Sequence, residues 1–441
     1  MTMAIRRDSL TMKLAAALLA FAAVFVTVRA LDGSSAAVPG EADVAIRQGE
    51  LPSATTAQRI EGLQAQVREA PSDPDGYAEL GLAYLQQVRE TGDPTFYPRA
   101  QGAFGKALRL DPTNFTATSG LGSLALARHD FRGALELGER AARISPGVAR
   151  NFGVIADAQI ELGRYGGAER TLQHYVDVKP ELSSYARVSY FRELYGDLAG
   201  ALSAMRLAVS AGGGTPENVG YVQSLVGKLE FDSGDYRAAE GSYRAALSID
   251  PGFPAAIAGV ARVEAANGDY DAAIRRLRSL VQRLPLPEYV IALGDTEQAA
   301  GMTAAAERDY GLVGVEIQLL QANGVNTDAE LALFEADHGD PSRAVELAAG
   351  AWMAAPSVRS ADAYAWALSS AGQDSQALAM SARAMRLGSR DPLFLYHAGM
   401  VALRADRAKR AHGLLSELVR QSPRFNPLSG PRAGRALEGL R

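Results

Sequence analysis

The densest group of side chains able to hold a metal or move a proton is FEADHGD, residues 334–340, which contains Glu335, Asp337, His338 and Asp340. Carboxylates and imidazole are metal ligands, but four such groups on one short stretch still need partners from elsewhere in the chain. The same residue types are ordinary in an exposed turn between two helices. We therefore interpret this stretch as an acidic turn.

No stretch carries a recognisable catalytic signature. His-Glu-x-x-His, Gly-x-Ser-x-Gly and Gly-x-x-x-x-Gly-Lys-Ser/Thr are all absent. The remaining histidines lie far apart and are expected on the surface or in packing: His129, His174, His397 and His412. The chain has no cysteine, which excludes disulfides, thiolate metal sites and a cysteine nucleophile. The sequence predicts a protein that is not an enzyme, with no catalytic residues, no metal and no cofactor.

The charge distribution argues against nucleic acid as a partner. The 441-residue chain has a net charge of −5, while residues 1–30 and 424–441 each carry +3, which leaves −11 for the region between them. Sequence-independent binding to nucleic acid depends on clustered lysine and arginine facing phosphate. An acidic body is a poor basis for it.

The N-terminus has the features of an export segment. Residues 1–30 carry Arg6 and Arg7 near their start and continue into the apolar run 14–28, which matches a secretory signal core and is short for a membrane span. The run predicts a cleaved signal or a retained N-terminal anchor, with a buried core helix as the less favoured alternative. Residues 31–54 are rich in glycine, serine, alanine and proline and are expected to form a flexible linker. The chain is thus predicted to be exported or membrane-anchored, with the rest outside the cytoplasm.

The remainder of the chain repeats one phrase. GDYRAA ends at Ala239 and GDYDAA at Ala273, and related phrases end at seven other alanines: Ala134, Ala168, Ala201, Ala306, Ala344, Ala377 and Ala411. The intervals between successive alanines are 34, 33, 38, 34, 33, 38, 33 and 34 residues. Self-similarity at a nearly fixed period indicates a solenoid of stacked units.

Each unit reads as two helices joined by a short turn. After each marker alanine, apolar or small residues recur on one helical stripe, as at Ala239, Tyr243 and Ala246. We interpret aromatic residues of this stripe, such as Tyr236 and Tyr243, as packing between helices. Proline ends most of the second helices because it lacks a backbone donor and disfavours α geometry in the residue before it.

These features resemble the tetratricopeptide repeat family. YAELGLAY, residues 77–84, has the family's aromatic, leucine-glycine and tyrosine pattern, and GDYRAAEGSYRAALSIDP, residues 234–251, has its alanine, aromatic, alanine and proline pattern. The resemblance implies an all-α fold, a right-handed α-solenoid of about ten helix–turn–helix repeats. We assign the solenoid with an N-terminal capping helix to residues 55–423 and a C-terminal capping tail to residues 424–441.

The resemblance also implies a function. In this family the first helices line a concave groove that binds partner polypeptides, so we expect a protein-interaction scaffold in or at the cell envelope. The alternative is a non-catalytic organising subunit of an envelope or secretion enzyme complex. Eight residues are predicted to face the groove: Asp157, Glu161, Tyr190, Tyr221, Lys228, Phe231, Asp295 and Trp366. Other proteins or peptides are the expected partners, and residues 1–30 would contact the membrane if they are not cleaved.

Overall fold

The computed structural model describes residues 55–212 and 216–440. The predicted signal or anchor and its linker, residues 1–54, lie outside this part of the chain. The chain divides into two units, Met1–Gln58 and Arg59–Arg441, and the contacts below belong to the second. Among the described residues, no helix combines the length and the apolar character that crossing a bilayer requires.

The described residues form α-helices and one short 3₁₀ helix, Met385–Leu387, without a strand. The 22 α-helices, in chain order, are α1 (Thr56–Glu69), α2 (Pro74–Thr91), α3 (Phe96–Leu110), α4 (Phe115–Ala127), α5 (Phe131–Ile144), α6 (Arg150–Glu161), α7 (Tyr165–Val178), α8 (Leu182–Leu194), α9 (Leu198–Ala211), α10 (Pro216–Asp232), α11 (Tyr236–Ile249), α12 (Pro254–Ala266), α13 (Tyr270–Arg283), α14 (Pro287–Ala299), α15 (Thr303–Ala322), α16 (Asp328–His338), α17 (Pro341–Ala354), α18 (Val358–Ser370), α19 (Asp374–Ala384), α20 (Pro392–Arg404), α21 (Ala408–Gln421) and α22 (Ser429–Glu438).

The helices α2 to α21 form ten antiparallel pairs, which we number as repeats one to ten. The predicted all-α solenoid is confirmed. The helix count exceeds that of ten repeats, because α1 precedes the first pair and α22 follows the last.

The Gly-Asp-Tyr phrase forms the turn inside repeats five and six. Gly234 and Gly268 have φ of 86° and 83°, a left-handed conformation that glycine adopts without strain. The following aspartate caps the second helix, since Asp235 Oδ1 accepts a hydrogen bond from the backbone N–H of Ala238 at 3.0 Å. In repeat two His129 takes the glycine's place, with φ of 59°.

The marker alanines lie in the packed interior of the solenoid. All nine have no exposed surface, which agrees with their predicted place at the crossing of two helices. In repeats five and seven, the residue four positions after the marker is a tyrosine whose ring packs on a glycine of a first helix. A Cβ added to Gly259 would lie 2.3 Å from Cε1 of Tyr243, and one added to Gly294 would lie 2.4 Å from Cε1 of Tyr310. Glycine therefore lets the ring of the second helix approach the backbone of the first.

The first helices lie on the inner side of the solenoid. Several pairs of successive first helices pack on each other, among them α2 with α4, α10 with α12 and α18 with α20. In the described chain, successive second helices make no comparable contacts. The closer spacing of the first helices makes their side concave, as the resemblance implies.

Within Arg59–Arg441 the solenoid turns back onto itself after six repeats. The turn of repeat two meets the loop before repeat eight, where His129 Nδ1 lies 2.7 Å from the carbonyl oxygen of Asn326. The turn of repeat three meets the loop before repeat nine, where the backbone N–H of Val358 donates to the Tyr165 hydroxyl at 2.7 Å. Successive superhelical turns are therefore in direct contact.

The same contact recurs along the chain. A Cβ on Gly196, in the turn of repeat four, would lie 2.2 Å from the carbonyl oxygen of Gly388, in the loop before repeat ten. The turn of repeat five meets the segment before α22, where the Tyr236 hydroxyl accepts from the backbone N–H of Arg424 at 3.0 Å. The segment before α22 thus takes the place of the loop before an eleventh repeat.

Candidate functional site

The predicted groove residues of repeats three and four form hydrogen bonds between neighbouring first helices. Arg187 of α8 donates from Nε to both carboxylate oxygens of Asp157 of α6, at 3.0 Å each. The Tyr190 hydroxyl donates to Glu161 Oε1 at 3.0 Å and accepts from Arg359 at 3.1 Å. Burial raises the pKa of Glu161 above its usual range, although Arg359 opposes the shift. Because Arg359 belongs to α18, this group also joins the two superhelical turns.

Lys228 lies at the centre of a second charged group. Its Nζ donates to Glu193 Oε1 at 2.6 Å and to Asp232 Oδ2 at 2.8 Å, while Arg262 donates to the other oxygen of Asp232 at 3.0 Å. Burial alone would lower the pKa of Lys228, but Asp232 and Glu193 raise it above its ordinary value. The pKa of Asp232 is lowered: burial favours the neutral acid, yet Lys228 and Arg262 outweigh that effect.

One metal-like arrangement is present among the described residues. Carboxylate oxygens of Glu193, Asp232 and Asp391 lie within 4.8 Å of one another. The Lys228 ammonium bonds to two of these carboxylates, and Asp391 accepts from two backbone N–H groups at the start of α20. The side chains present already supply the positive charge that a cation would bring.

Asp295 is shared between neighbours of the inner surface. It accepts hydrogen bonds from the Tyr310 hydroxyl at 2.8 Å and from Asn426 at 3.3 Å, and His338 Nε2 lies 3.3 Å from its Oδ1. His338, which we placed in an acidic turn, therefore contacts the inner surface. The contact to Asn426 brings the C-terminal segment into the groove.

Two predicted groove residues are buried, which corrects their assignment. Phe231 has no exposed surface and packs on Tyr236 with ring centroids 4.9 Å apart. Trp366 is 4% exposed and donates from Nε1 to Asp337 at 2.9 Å. Phe231 lies between Tyr236 of its own repeat and Arg262 of the next, and Trp366 bonds to the preceding repeat, so neither faces the open groove. Tyr221 is different, because half of its surface is exposed.

A cavity of about 800 Å³ lies on the concave side of repeats five to seven. Its floor includes Ala255, Ala258 and Gly259 of α12, and Lys228 and Arg262 are among the charged residues that line it. The C-terminal segment Phe425–Pro427 forms another part of the lining. The cavity thus combines a floor of small side chains with a charged border whose cations are already paired.

Comparison with known families agrees with this architecture. One tetratricopeptide repeat model matches residues 125–189 and 230–295, and a second matches residues 95–149. The chain is a tetratricopeptide repeat protein. Such repeats generally form scaffolds that bind proteins or peptides. No curated protein sequence matches the chain significantly.

Solved structures similar to this tetratricopeptide repeat protein include TTC0263 of Thermus thermophilus, described as a thermophilic TPR protein. The two sequences are 22% identical over 40% of this chain and 92% of that one, with a TM-score of 0.36. The human IFIT1 dimer with PPP-AAAA has 17% identity over 75% of this chain and 78% of its own, with a TM-score of 0.47. YrrB, described as a TPR protein with an unusual peptide-binding site, has 20% identity over 45% of this chain and 96% of its own, with a TM-score of 0.28.

Sequence reasoning named Lys228 but missed the arginines of the inner surface, although the repeat contained a signal for them. The residues paired across successive first helices are one repeat apart. Asp157 precedes Arg187 by 30 residues, and Asp232 precedes Arg262 by 30. Asp362 and His397, 35 residues apart, form a buried pair at 2.7 Å. A search for such pairs at separations of 30 to 35 residues, close to the repeat interval, would have found all three.

Proposed function

We propose that this tetratricopeptide repeat protein is a non-catalytic scaffold that holds a partner polypeptide on the concave side of repeats five to seven. The cavity of about 800 Å³ carries the proposal, because it is an opening in the inner surface that is large enough to hold side chains of a partner. Its floor of alanine and glycine leaves that space open.

The surroundings of the cavity favour an apolar anchor on the partner. Lys228 and Arg262 are neutralised by Glu193 and Asp232, so an acidic partner group would gain little from them. Leu393 lines the cavity and is 36% exposed. An aliphatic or aromatic side chain of the partner would cover this surface and bury apolar area.

The proposed place of action is the cell envelope, with residues 1–30 as the export signal or membrane anchor. The basic start and apolar run of these residues support it, as does the following linker. Fractionation of a tagged full-length chain is the test. Uncleaved protein in the soluble cytosol would contradict export and anchoring alike.

Filling the cavity tests the binding site. Ala255 lies on the cavity floor, whereas Ala245 is exposed on the second helix of repeat five and does not line the cavity. We expect partners captured from envelope fractions by the wild-type chain to be lost with Ala255→Trp and kept with Ala245→Trp. Equal capture by both variants, with unchanged melting temperatures, would place the binding site elsewhere.

A further inference from the structure

The cavity on the concave side of repeats five to seven is lined by more acidic than basic side chains. Its lining contains four carboxylates and two cations, which gives a net charge of −2. The cations are Lys228 and Arg262, and the carboxylates are Asp232, Glu288, Asp295 and Asp391. The net charge of −11 over residues 31–423 has the same sign. A cationic partner is therefore attracted by the acidic body of the chain and by the cavity itself.

Three of these four carboxylates already have partners within the chain. Asp232 bonds to both cations. Asp391 accepts from two backbone N–H groups, and Asp295 accepts from a tyrosine hydroxyl and an asparagine amide. Glu288 is different, because no lysine, arginine or histidine of the described chain pairs with its carboxylate. Glu288 is thus the member of this lining that remains available to a cation from outside.

The position of Glu288 makes it accessible and leaves its charge incompletely stabilised. It lies in the first turn of α14 and has exposed surface, so a partner can reach it. The surrounding protein nevertheless excludes part of the water, and this burial, together with the nearby carboxylate of Glu330, raises the pKa of Glu288 above its usual range against the opposing effect of its own backbone N–H. A cation of the partner would supply the counter-ion that the ionised carboxylate lacks.

Tyr289 follows Glu288 and also lines the cavity. Its hydroxyl makes no hydrogen bond to a described residue, and burial together with the Glu288 carboxylate raises the pKa of this hydroxyl above its ordinary value. A carboxylate near an aromatic ring can bind lysine or arginine by ion pairing and through the face of the ring. Leu393, from the next superhelical turn, adds exposed apolar surface to the same cavity.

We propose that the partner segment held in this cavity carries a lysine or arginine that pairs with Glu288, close in sequence to the apolar side chain that covers Leu393. This inference rests on the proposed function and adds to it the chemical class of the partner, a basic and apolar polypeptide segment. A volume of about 800 Å³ is in the range of pockets that enclose a whole small ligand, so it can hold both side chains. An acidic segment would instead place like charges together in the cavity.

Selection of random peptides displayed on phage tests the partner class. The full-length wild-type chain, Ala255→Trp and Glu288→Gln each serve as the immobilised target. Peptides that are enriched by the wild type and lost with Ala255→Trp are those that occupy the cavity. We expect these peptides to be apolar and richer in lysine and arginine than the unselected library. Selection on Glu288→Gln should keep the apolar residues and lose the basic ones, and Glu288→Lys should select acidic residues instead.

The affinity of one selected peptide then measures the contribution of Glu288. The strongest cavity-dependent peptide of the wild-type selection is synthesised, and its Kd is determined by fluorescence anisotropy. Glu288→Gln should weaken binding about three- to tenfold, because a partly exposed charge pair is lost while the shape of the side chain is kept. The matched control is Glu307→Gln, at an exposed glutamate on the second helix of the same repeat that does not line the cavity, and it should leave the Kd unchanged.

The two proposals fail in different ways. If Ala255→Trp folds and retains every peptide that the wild type selects, the cavity is not the binding site and both proposals are wrong. If cavity-dependent peptides show no basic enrichment, or if Glu288→Gln and Glu307→Gln bind the peptide equally, the scaffold function stands and the basic partner class is wrong. Should Ala255→Trp not fold, as judged by its melting temperature, the comparison of Glu288→Gln with Glu288→Lys at this exposed position decides the partner class by itself.

Discussion

The hydroxyl of Tyr165 accepts a hydrogen bond from the backbone N–H of Val358 at 2.7 Å, across 193 residues of sequence. Helical repeat solenoids commonly consist of contacts between neighbours alone. Here the turn of repeat three is held by the loop before repeat nine. The first superhelical turn is therefore stabilised by contacts with the second. We expect the solenoid to unfold more cooperatively than an array in which each repeat contacts only its neighbours.

Removing the tyrosine hydroxyls measures this contact. Tyr165→Phe and Tyr236→Phe should each lower the free energy of unfolding by about 1–2 kcal/mol, because a backbone N–H of the second superhelical turn loses its acceptor. The midpoint of urea unfolding reports the loss. Tyr270→Phe is the matched control at the same repeat position, and it should leave the midpoint unchanged. A uniform effect at all three positions would mean that the hydroxyls do not join the superhelical turns.

The marker alanines predict a much larger effect. Ala239 has no exposed surface, so Ala239→Arg forces a long charged side chain into the contact between two helices. We expect a loss of several kcal/mol, roughly 3–5, from overpacking and burial of an unpaired charge together. Ala245→Arg, on the exposed face of the same helix, is the control and should change the urea midpoint little. Wild-type stability of the Ala239 variant would contradict the register of the repeats.

Much of the fold could be predicted from the sequence, because local physics repeats at a fixed interval. The Gly-Asp-Tyr phrase sets the turn, the alanine sets the helix crossing, and proline ends the helix. The contact between successive superhelical turns could not be predicted. It depends on small rotations between repeats that add up over six units, and no single motif records that sum. Tyr236 and Tyr270 occur in nearly the same phrase, yet only Tyr236 is covered.

The inner surface was harder to predict for a related reason. A position on the first helix indicates which way a side chain points but not what it meets one repeat later. Asp157 and Lys228 were placed in the groove, where both are paired with neighbouring repeats. Phe231 was predicted to face the groove and is fully buried, because Tyr236 and Arg262 cover its ring.

The pair of His397 and Asp362 predicts a pH dependence of stability. Burial alone would lower the pKa of His397, but the Asp362 carboxylate at 2.7 Å raises it above its ordinary value. A raised pKa means that this stabilisation is complete below the unfolded-state pKa of about 6.5 and is lost as pH rises through the folded-state pKa. Urea unfolding across this range should show stability falling as pH rises, and Asp362→Asn should flatten the profile. His412→Gln, at an exposed histidine, is the control; a slope that survives in Asp362→Asn would contradict the assignment.

Lys228 tests whether the inner charges serve the fold or the partner. Lys228→Met leaves the carboxylates of Glu193 and Asp232 facing each other without the ammonium between them, so we expect a loss of about 1–3 kcal/mol at pH 7. The lysine side chain is 38% exposed, and water therefore screens part of the effect. Because the pKa of Asp232 is lowered in the folded state, its ionised carboxylate stabilises the wild type above a pH of about 4. This stabilisation is lost as pH falls through the folded-state pKa. The stability gap between wild type and variant should accordingly narrow in acid, as measured by urea unfolding at pH 7 and pH 4.

Arg244→Met, which removes a cation of an exposed pair on α11, is the control and should cost under about 0.5 kcal/mol. Lost partner capture with unchanged stability would instead make Lys228 a contact for the partner.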